Sequence, residues 1–169
     1  MRNIKVEVIN LSKSLELPMY STNGAAAMDV RACFDSNEEL IFYTANAIEK
    51  FIPNMDKTYT LAPLERVLIP TGLKVAIPEE WEIDVRPRSG LALKNGITVL
   101  NTPGLVDSDY RGSICVILIN LSNEDFHFTH RDRIAQISIT EATKVDWVSV
   151  NELPSTERGE GGFGHTGKK

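Results

Sequence analysis

The segment with the plainest phosphate-binding chemistry reads RPRSGLALKNG and covers residues 86–96. Arg88 stands directly before Ser89 and Gly90, at the start of a short predicted helix. A guanidinium, a serine hydroxyl and the free backbone N–H groups of a helix start all suit a phosphate oxygen. A surface arginine in a turn explains the same residues, so this segment alone leaves both interpretations open.

A second candidate segment, NTPGLVDSDYRG, covers residues 101–112. Asp107 and Asp109 face the same side if the chain is extended, and Tyr110 follows at once. Either one carboxylate is a general base beside an aromatic wall, or both are solvated turn carboxylates. The turn residues between the apolar runs 97–101 and 105–107 predict a hairpin, whose main chain offers fixed donors and acceptors to a nucleobase.

The remaining candidates are an amide within a strand and a glycine-rich tail. Gln136 lies in the apolar strand pattern RDRIAQISI and needs a polar partner there. The tail RGEGGFGHTG, residues 158–167, matches a phosphate-loop pattern together with Lys168, but Lys169 stands where that pattern requires Ser or Thr. What remains is Arg158 and glycine N–H groups able to approach phosphates closely. The three histidines lack the spacing of a metal site.

Composition limits the kind of partner that we expect. The 169 residues carry a net charge of −5, with no basic block outside the final lysines, which disfavours nucleic acid as a partner. No apolar run is typical of a signal peptide or a membrane span, so we expect a cytoplasmic protein with no membrane contact. Cys33 and Cys115 lack paired spacing and are expected to be reduced structural thiols.

The elements that position these residues are short strands. Alternating apolar runs separated by Gly and Pro turns predict a single all-β domain of the jelly-roll or β-sandwich type, with little helix and a flexible C-terminal tail. Short helices are predicted over residues 89–94 and 45–51. Residues 35–60 are the least regular part of the chain and are interpreted as a long loop or an insert with its own short helix.

Five segments in chain order resemble the five motifs of the trimeric dUTP diphosphatases (dUTPases): AAAMDVRA, RPRSGLA, NTPGLVDSDYRG, RDRIAQI and RGEGGFGHTG. They extend from residue 25 to residue 167. The resemblance implies a jelly-roll homotrimer with active sites between subunits, which hydrolyses dUTP to dUMP and pyrophosphate with Mg²⁺ through water attack on the α-phosphate. It also implies a catalytic domain over residues 1–154 and an arm, residues 155–169, that closes over the active site.

The resemblance assigns a role to each matching residue. Asp107 orients the attacking water, Tyr110 packs against the sugar, and Asp29 supports the site. The uracil is read by the Asn101 side chain and by main-chain groups, namely those of Leu105, Val106 and Cys115. The phosphates are held by residues of the second, fourth and fifth motifs, namely Arg88, Ser89, Gly90, Gln136, Arg158, Gly162 and Gly164. Phe163 stacks on the base.

The metal and two alternatives complete the expectations. Mg²⁺ is held by the triphosphate and by waters, without a direct protein ligand, and Asp29 is the candidate for a contact through water. A dCTP deaminase shares the fold, and a non-catalytic regulatory or binding protein could use residues 35–60 as its surface. Two departures from the family pattern are Met28, where an aromatic residue is common, and the longer stretch between the first two motifs.

Overall fold

The computed structural model of the protein describes residues 3–35, 40–52 and 58–162. Within these ranges there are thirteen strands and one helix, α1 (Ser89–Asn95). The strands are β1 (Glu7–Asn10), β2 (Met28–Arg31), β3 (Leu40–Tyr43), β4 (Glu49–Ile52), β5 (Thr58–Leu61), β6 (Arg66–Pro70), β7 (Leu73–Ala76), β8 (Trp81–Arg86), β9 (Ile97–Val99), β10 (Gly104–Val106), β11 (Cys115–Asn120), β12 (Phe126–Thr129) and β13 (Arg133–Glu141). Across the same ranges, no helix has the length and apolar character that crossing a bilayer requires.

The strands form two larger sheets and two small ones. One sheet has the order β10-β8-β13-β2 and the other β4-β3-β6-β11-β9, and the two-stranded sheets pair β1 with β7 and β12 with β5. The predicted all-β fold with little helix is confirmed. Strand β11 shows how the sequence builds the core, because Val116 and Leu118 are buried while Cys115 and Ile117 on its other face are only partly covered.

Part of the sequence between residues 35 and 60 contributes to the core. Phe42 and Tyr59 are buried there with Phe34 and Phe128, and the rings of Tyr59 and Phe128 stack with centroids 5.7 Å apart. Aromatic rings in such offset contacts add to the stabilisation that burial already gives. Strands of this region therefore complete the core.

The helix predicted over residues 45–51 is wrong, because β3 and β4 pair as antiparallel neighbours there. The main-chain N–H of Thr44 donates to the carbonyl of Ile48 at 2.9 Å, which closes the turn between them. Ala47 adopts a positive φ of 58° within that turn. Strand pairing thus overrides the helix propensity of the alanines.

The hairpin predicted over residues 97–107 is also wrong. Strand β9 pairs with β11 and β10 pairs with β8, so the turn between β9 and β10 carries the chain from one large sheet to the other. The Thr102–Pro103 peptide bond in this turn is cis. The main chain of β10 lies at the edge of its sheet.

Helix α1 is confirmed where residues 89–94 predicted it. Arg88 precedes it with extended φ and ψ angles, and the first intrahelical donor is Ala92, whose N–H bonds the carbonyl of Arg88 at 3.0 Å. Gly96 ends the helix with φ of 65°, and its N–H donates to the carbonyl of Ala92. Such a left-handed residue at the end of a helix favours glycine.

Hydrogen bonds to the Asp35 side chain hold residues 12–14 of the N-terminal segment in place. Its carboxylate accepts hydrogen bonds from the hydroxyls of Ser12 and Ser14 and from the main-chain N–H of Lys13 at 2.8 Å. The ring nitrogen Nε2 of His130 lies 3.3 Å from the same carboxylate. Burial raises the pKa of the Asp35 carboxyl, but these hydrogen bonds and the attraction of His130 outweigh it and hold the pKa well below its usual range.

Candidate functional site

A cavity of about 300 Å³ lies where the turn after β9 meets β10 and β11. Six residues predicted from the third motif and from the start of β11 line it: Asn101, Leu105, Val106, Asp107, Tyr110 and Cys115. The other lining residues are Leu68, Ser113, Ile114 and Ile117. A cavity of this size, with apolar walls and a few polar groups, is typical of a small-molecule site.

Gly104 lets the Asn101 side chain lie against the main chain of β10. A Cβ added to Gly104 would lie 3.1 Å from Asn101 Nδ2 and 3.4 Å from Cβ of Val85. A larger residue here would push the Asn101 amide away by a few tenths of an ångström, whereas the contact with Val85 would be an ordinary one. The Asn101 amide and the main chain of β10 therefore present their polar groups side by side.

The turn after Asp107 folds Tyr110 back on its own chain. The main-chain N–H of Tyr110 donates to the carbonyl of Asp107 at 3.2 Å, and its hydroxyl donates to the carbonyl of Ser113 at 3.2 Å. The Arg111 guanidinium donates to the carbonyl of Ser108 at 2.6 Å and to that of Tyr110 at 2.9 Å. The turn is thus held at several points, and the exposed Asp107 carboxylate stands at its start.

A second group of charged side chains surrounds Asp29 on β2. Arg88 Nε donates to Asp29 Oδ1 at 3.2 Å, and Arg133 Nη1 donates to Asp29 Oδ2 at 3.0 Å. Gln136 on β13 lies directly opposite Asp29 on one side and Arg86 of β8 on the other. Residues opposite each other on neighbouring strands share a face of the sheet. The sheet therefore brings the first, second and fourth motifs together.

Ser89 and Gly90 open helix α1 beside this group. Both are exposed, and a Cβ added to Gly90 would meet nothing within 4 Å. Their main-chain N–H groups precede the first intrahelical donor. N–H groups at this position in a helix have no acceptor within the helix and normally bond to a group outside it. With Arg88 they form a cluster of donors facing solvent.

The two groups do not share a cavity within the described part of one chain. Asp29, Arg88, Ser89, Gly90 and Gln136 are not among the residues that line the cavity around Asp107.

The C-terminal segment shows one local contact of its predicted arginine. Arg158 Nε donates to the carbonyl of Gly161 at 2.7 Å in an exposed part of the chain, and Gly162 is half-buried. Phe163 and Gly164, predicted to stack on the base and to approach the phosphates, lie outside the described residues.

The sequence interpretation missed several residues that build these groups. Leu68 and Ile117 form apolar walls of the cavity, Gly104 and Gly112 make room for its polar side chains, and Arg133 holds Asp29. The glycine two residues after Tyr110 was a usable signal. The wall residues carry no signal of their own, because only the pairing of β6 with β11 places them together.

Known proteins that resemble this chain support a functional role for these two groups of residues. The family model described as dUTPase matches residues 54–167. The deoxyuridine 5'-triphosphate nucleotidohydrolase of Fusobacterium nucleatum is 51% identical over 168 residues, which is 99% of this chain and 100% of that protein. The enzyme of the same name from Finegoldia magna is 45% identical over 164 residues, covering 97% and 99% of the two chains.

Solved structures show the same fold at lower identity. The dUTPase of Staphylococcus bacteriophage 80alpha, solved with dUpNHpp, has a TM-score of 0.75 at 23% identity and covers 98% of this chain and 99% of its own. The dUTPase of phage phi11 of S. aureus has a TM-score of 0.68 at 19% identity, over 90% of this chain and 100% of its own. With the five motifs in order, a matching family model and two near-complete relatives, the chain belongs to the dUTPase family.

Proposed function

We propose that the chain hydrolyses dUTP to dUMP and pyrophosphate, and that the cavity around Asp107 takes the deoxyuridine. The observation that carries this proposal is the convergence of Asn101, the main chain of β10, Asp107 and Tyr110 on one cavity of about 300 Å³. These groups supply hydrogen bonds to a base edge, an aromatic surface for a sugar and a carboxylate beside them.

Recognition of the base rests on the main chain of β10 and on the Asn101 amide. The main chain of Leu105 and Val106 is fixed by pairing with β8, and the Asn101 amide lies against Gly104. Cytosine exchanges donor and acceptor at N3 and at position 4, and unpaired polar groups in such a site discriminate by roughly 10⁴-fold or more. The Tyr110 ring packs where a ribose would carry its 2′-hydroxyl, which favours the deoxyribose.

In the chemical step, Asp107 orients the attacking water and takes a proton from it. The water oxygen forms the new bond to the α-phosphorus while the bond to the bridging oxygen of pyrophosphate breaks. Arg88 and the N–H groups of Ser89 and Gly90 neutralise the phosphate oxygens, with Gln136 beside them and Arg158 at the terminal phosphate. Positioning and charge stabilisation of this kind dominate phosphoryl transfer.

The residues around Asp29 fit the expected Mg²⁺. A carboxylate oxygen has two acceptor sites, so each oxygen of Asp29 that is bonded to a guanidinium retains one for a metal-bound water. When bound to the triphosphate, Mg²⁺ neutralises phosphate oxygens while keeping several waters. Asp29 would hold it through one of those waters.

We further propose a homotrimer with active sites between subunits. Within one chain the donor cluster around Arg88 does not line the cavity around Asp107, so we expect a second copy to complete the site. Residues after β13 also expose large apolar side chains, with Trp147 exposed by 92%, Val148 by 81% and Leu153 by 84%. Contiguous exposed apolar residues mark interaction surfaces. Light scattering at micromolar concentration is expected to give three chains per particle, and a fully active monomer would exclude this arrangement.

The activity is tested by pyrophosphate release from dUTP, dCTP, dTTP and UTP, each with and without Mg²⁺. We expect rapid pyrophosphate release from dUTP but not from the other three nucleotides. The rate with dUTP should depend strongly on Mg²⁺. Ammonia release from dCTP would instead identify a deaminase on the same fold. Binding of dUTP without turnover would identify a regulatory protein.

A further inference from the structure

The Asp29 carboxylate is held from two sides by arginines that also bond each other. Arg88 Nε donates to Oδ1 and Arg133 Nη1 to Oδ2, while Arg88 Nη1 donates to the main-chain oxygen of Arg133 at 3.0 Å. The three residues thus close a ring of hydrogen bonds. The Asp29 side chain is only 17% exposed, whereas that of Arg133 is 48% exposed.

A β-bulge in β13 aims Arg133 at Asp29. Gln136 pairs with Asp29 across the β13–β2 ladder, but the register shifts between Arg133 and Ala135, so that Arg133 lies opposite Arg31. Ile134 is the extra residue, and both it and Ala135 are buried. Strict alternation would have put Ile134 on the face of Asp29 and turned Arg133 into the core.

We propose that Arg133 is a positioning residue for the dUTP hydrolysis proposed above, on which this inference rests. Its side chain fixes the Asp29 carboxylate and its main-chain oxygen fixes the Arg88 guanidinium. A guanidinium has five N–H donors, so those of Arg88 outside the ring remain available to phosphate oxygens. Arg133 acts through Asp29 and Arg88 and need not touch the substrate.

A neighbouring arginine supplies a charge-matched control. Arg31 and Arg133 line the same two cavities, of about 350 Å³ and 440 Å³, and both lie on the face of Asp29. The Arg31 guanidinium donates to the main-chain oxygen of Arg131 at 2.8 Å. Arg31→Gln therefore removes the same charge from the same cavities as Arg133→Gln, but keeps the hydrogen bond between Arg133 and Asp29.

The test compares kcat, the KM for dUTP and the Mg²⁺ concentration at half-maximal rate in the full-length wild type, Arg133→Gln and Arg31→Gln. Loss of an outer-shell group of a metal site typically costs about 10- to 100-fold in activity or metal affinity. We expect Arg133→Gln to lower kcat by that factor and to raise the Mg²⁺ requirement, with a smaller change in KM. Arg31→Gln should stay close to wild type.

A double-variant comparison isolates the route through Asp29. If Arg133 acts by holding Asp29, the kcat loss of Arg133→Gln shrinks strongly when it is introduced into Asp29→Asn. Losses that multiply fully in the double variant would overturn the proposal. Equal losses in Arg31→Gln and Arg133→Gln would also overturn it, in favour of a general charge effect, as would wild-type kcat and Mg²⁺ dependence in Arg133→Gln.

A readout independent of turnover separates this inference from the proposed function. Crystal structures of the wild type and Arg133→Gln are expected to differ in the plane of the Asp29 carboxylate and in its bond to Arg88. An unchanged Asp29 and Arg88 would overturn the positioning role even in an active enzyme. A wild-type chain that releases no pyrophosphate from dUTP would remove the proposed function, while the crystal structures would still decide the role of Arg133.

Discussion

The Tyr110 side chain occupies the space in which any residue other than glycine at position 112 would place its Cβ. A Cβ built on Gly112 would lie 2.9 Å from Cε2 of the Tyr110 ring and closer still to its hydroxyl. Real Cβ atoms do not approach other atoms so closely, so one of the two residues must shift. Tyr110 can therefore hold its position against the cavity wall only because residue 112 is glycine.

Gly112→Ala is expected to displace Tyr110 and weaken selection for deoxyribose. Misplacement of about 1 Å near a reacting centre can cost up to about 100-fold in rate, so we expect kcat/KM for dUTP to fall between about 10- and 100-fold. The rate with UTP should fall less. Gly24→Ala is the control, because a Cβ there meets nothing within 4 Å. Unchanged dUTP and UTP kinetics in Gly112→Ala would argue against the sugar-packing role of Tyr110.

Asp107→Asn is expected to lower kcat while leaving nucleotide affinity nearly unchanged. Loss of a general base typically costs about 10²- to 10⁴-fold, and the phosphate-binding groups remain in place. Single-turnover kinetics give the rate, and calorimetry with dUpNHpp gives the affinity. Asp109→Asn changes the other exposed carboxylate of the same turn and should keep its kcat. A loss of kcat found in Asp109→Asn and not in Asp107→Asn would identify Asp109 as the general base.

Truncation after Glu157 is expected to abolish most turnover while leaving the trimer intact. The shortened chain lacks Arg158 and the glycines proposed to close over the triphosphate, which supply charge neutralisation in the transition state. A chain that ends at Gly167, lacking only the last two lysines, should keep full activity. Pyrophosphate release and light scattering test the two statements separately. Full activity in the shorter chain would leave the tail without a catalytic role.

The residues of the third motif could be predicted because they are close in sequence and share one turn. Asn101, Asp107 and Tyr110 line one cavity whichever strands flank them. Leu68 could not be predicted, because its place in the wall depends on the pairing of β6 with β11. The contact of Arg133 with Asp29 could not be predicted from the sequence for a related reason. Regular alternation from Gln136 assigns it to the core, and only the bulge reverses that assignment.

The two wrong elements have a common physical cause. Residues 45–51 and 97–107 were interpreted from local propensity and turn signals, whereas the structure pairs β3 with β4 and separates β9 from β10 into different sheets. Pairing within a sheet, which for β3 includes β6 and for β9 includes β11, outweighs propensities of a few tenths of a kcal/mol per residue. The cavity around Asp107 depends on that separation, because β10 is left at a sheet edge.

Asp35→Asn is expected to destabilise the protein at neutral pH and much less in acid. Asparagine keeps one acceptor oxygen but turns an NH₂ group toward donors of the Ser12–Ser14 segment, and an unsatisfied partner of this kind costs about 1–3 kcal/mol. Because the pKa of Asp35 is lower in the folded state, the unfolded state binds its proton first as the pH falls. The contribution of Asp35 is thus fully present above its unfolded pKa of about 3.9 and is lost progressively as the pH falls toward the lower folded value.

Urea unfolding of wild type and Asp35→Asn at several pH values measures this contribution directly. The difference in unfolding free energy should be fully present at about pH 5 and should shrink toward about pH 2. Subtraction of the two curves removes the effect of every other carboxyl group that titrates alike in both proteins. Asp125→Asn, which changes an exposed aspartate, should show no such pH-dependent difference. A difference between wild type and Asp35→Asn that persists unchanged to pH 2 would mean that Asp35 stabilises the fold without its charge.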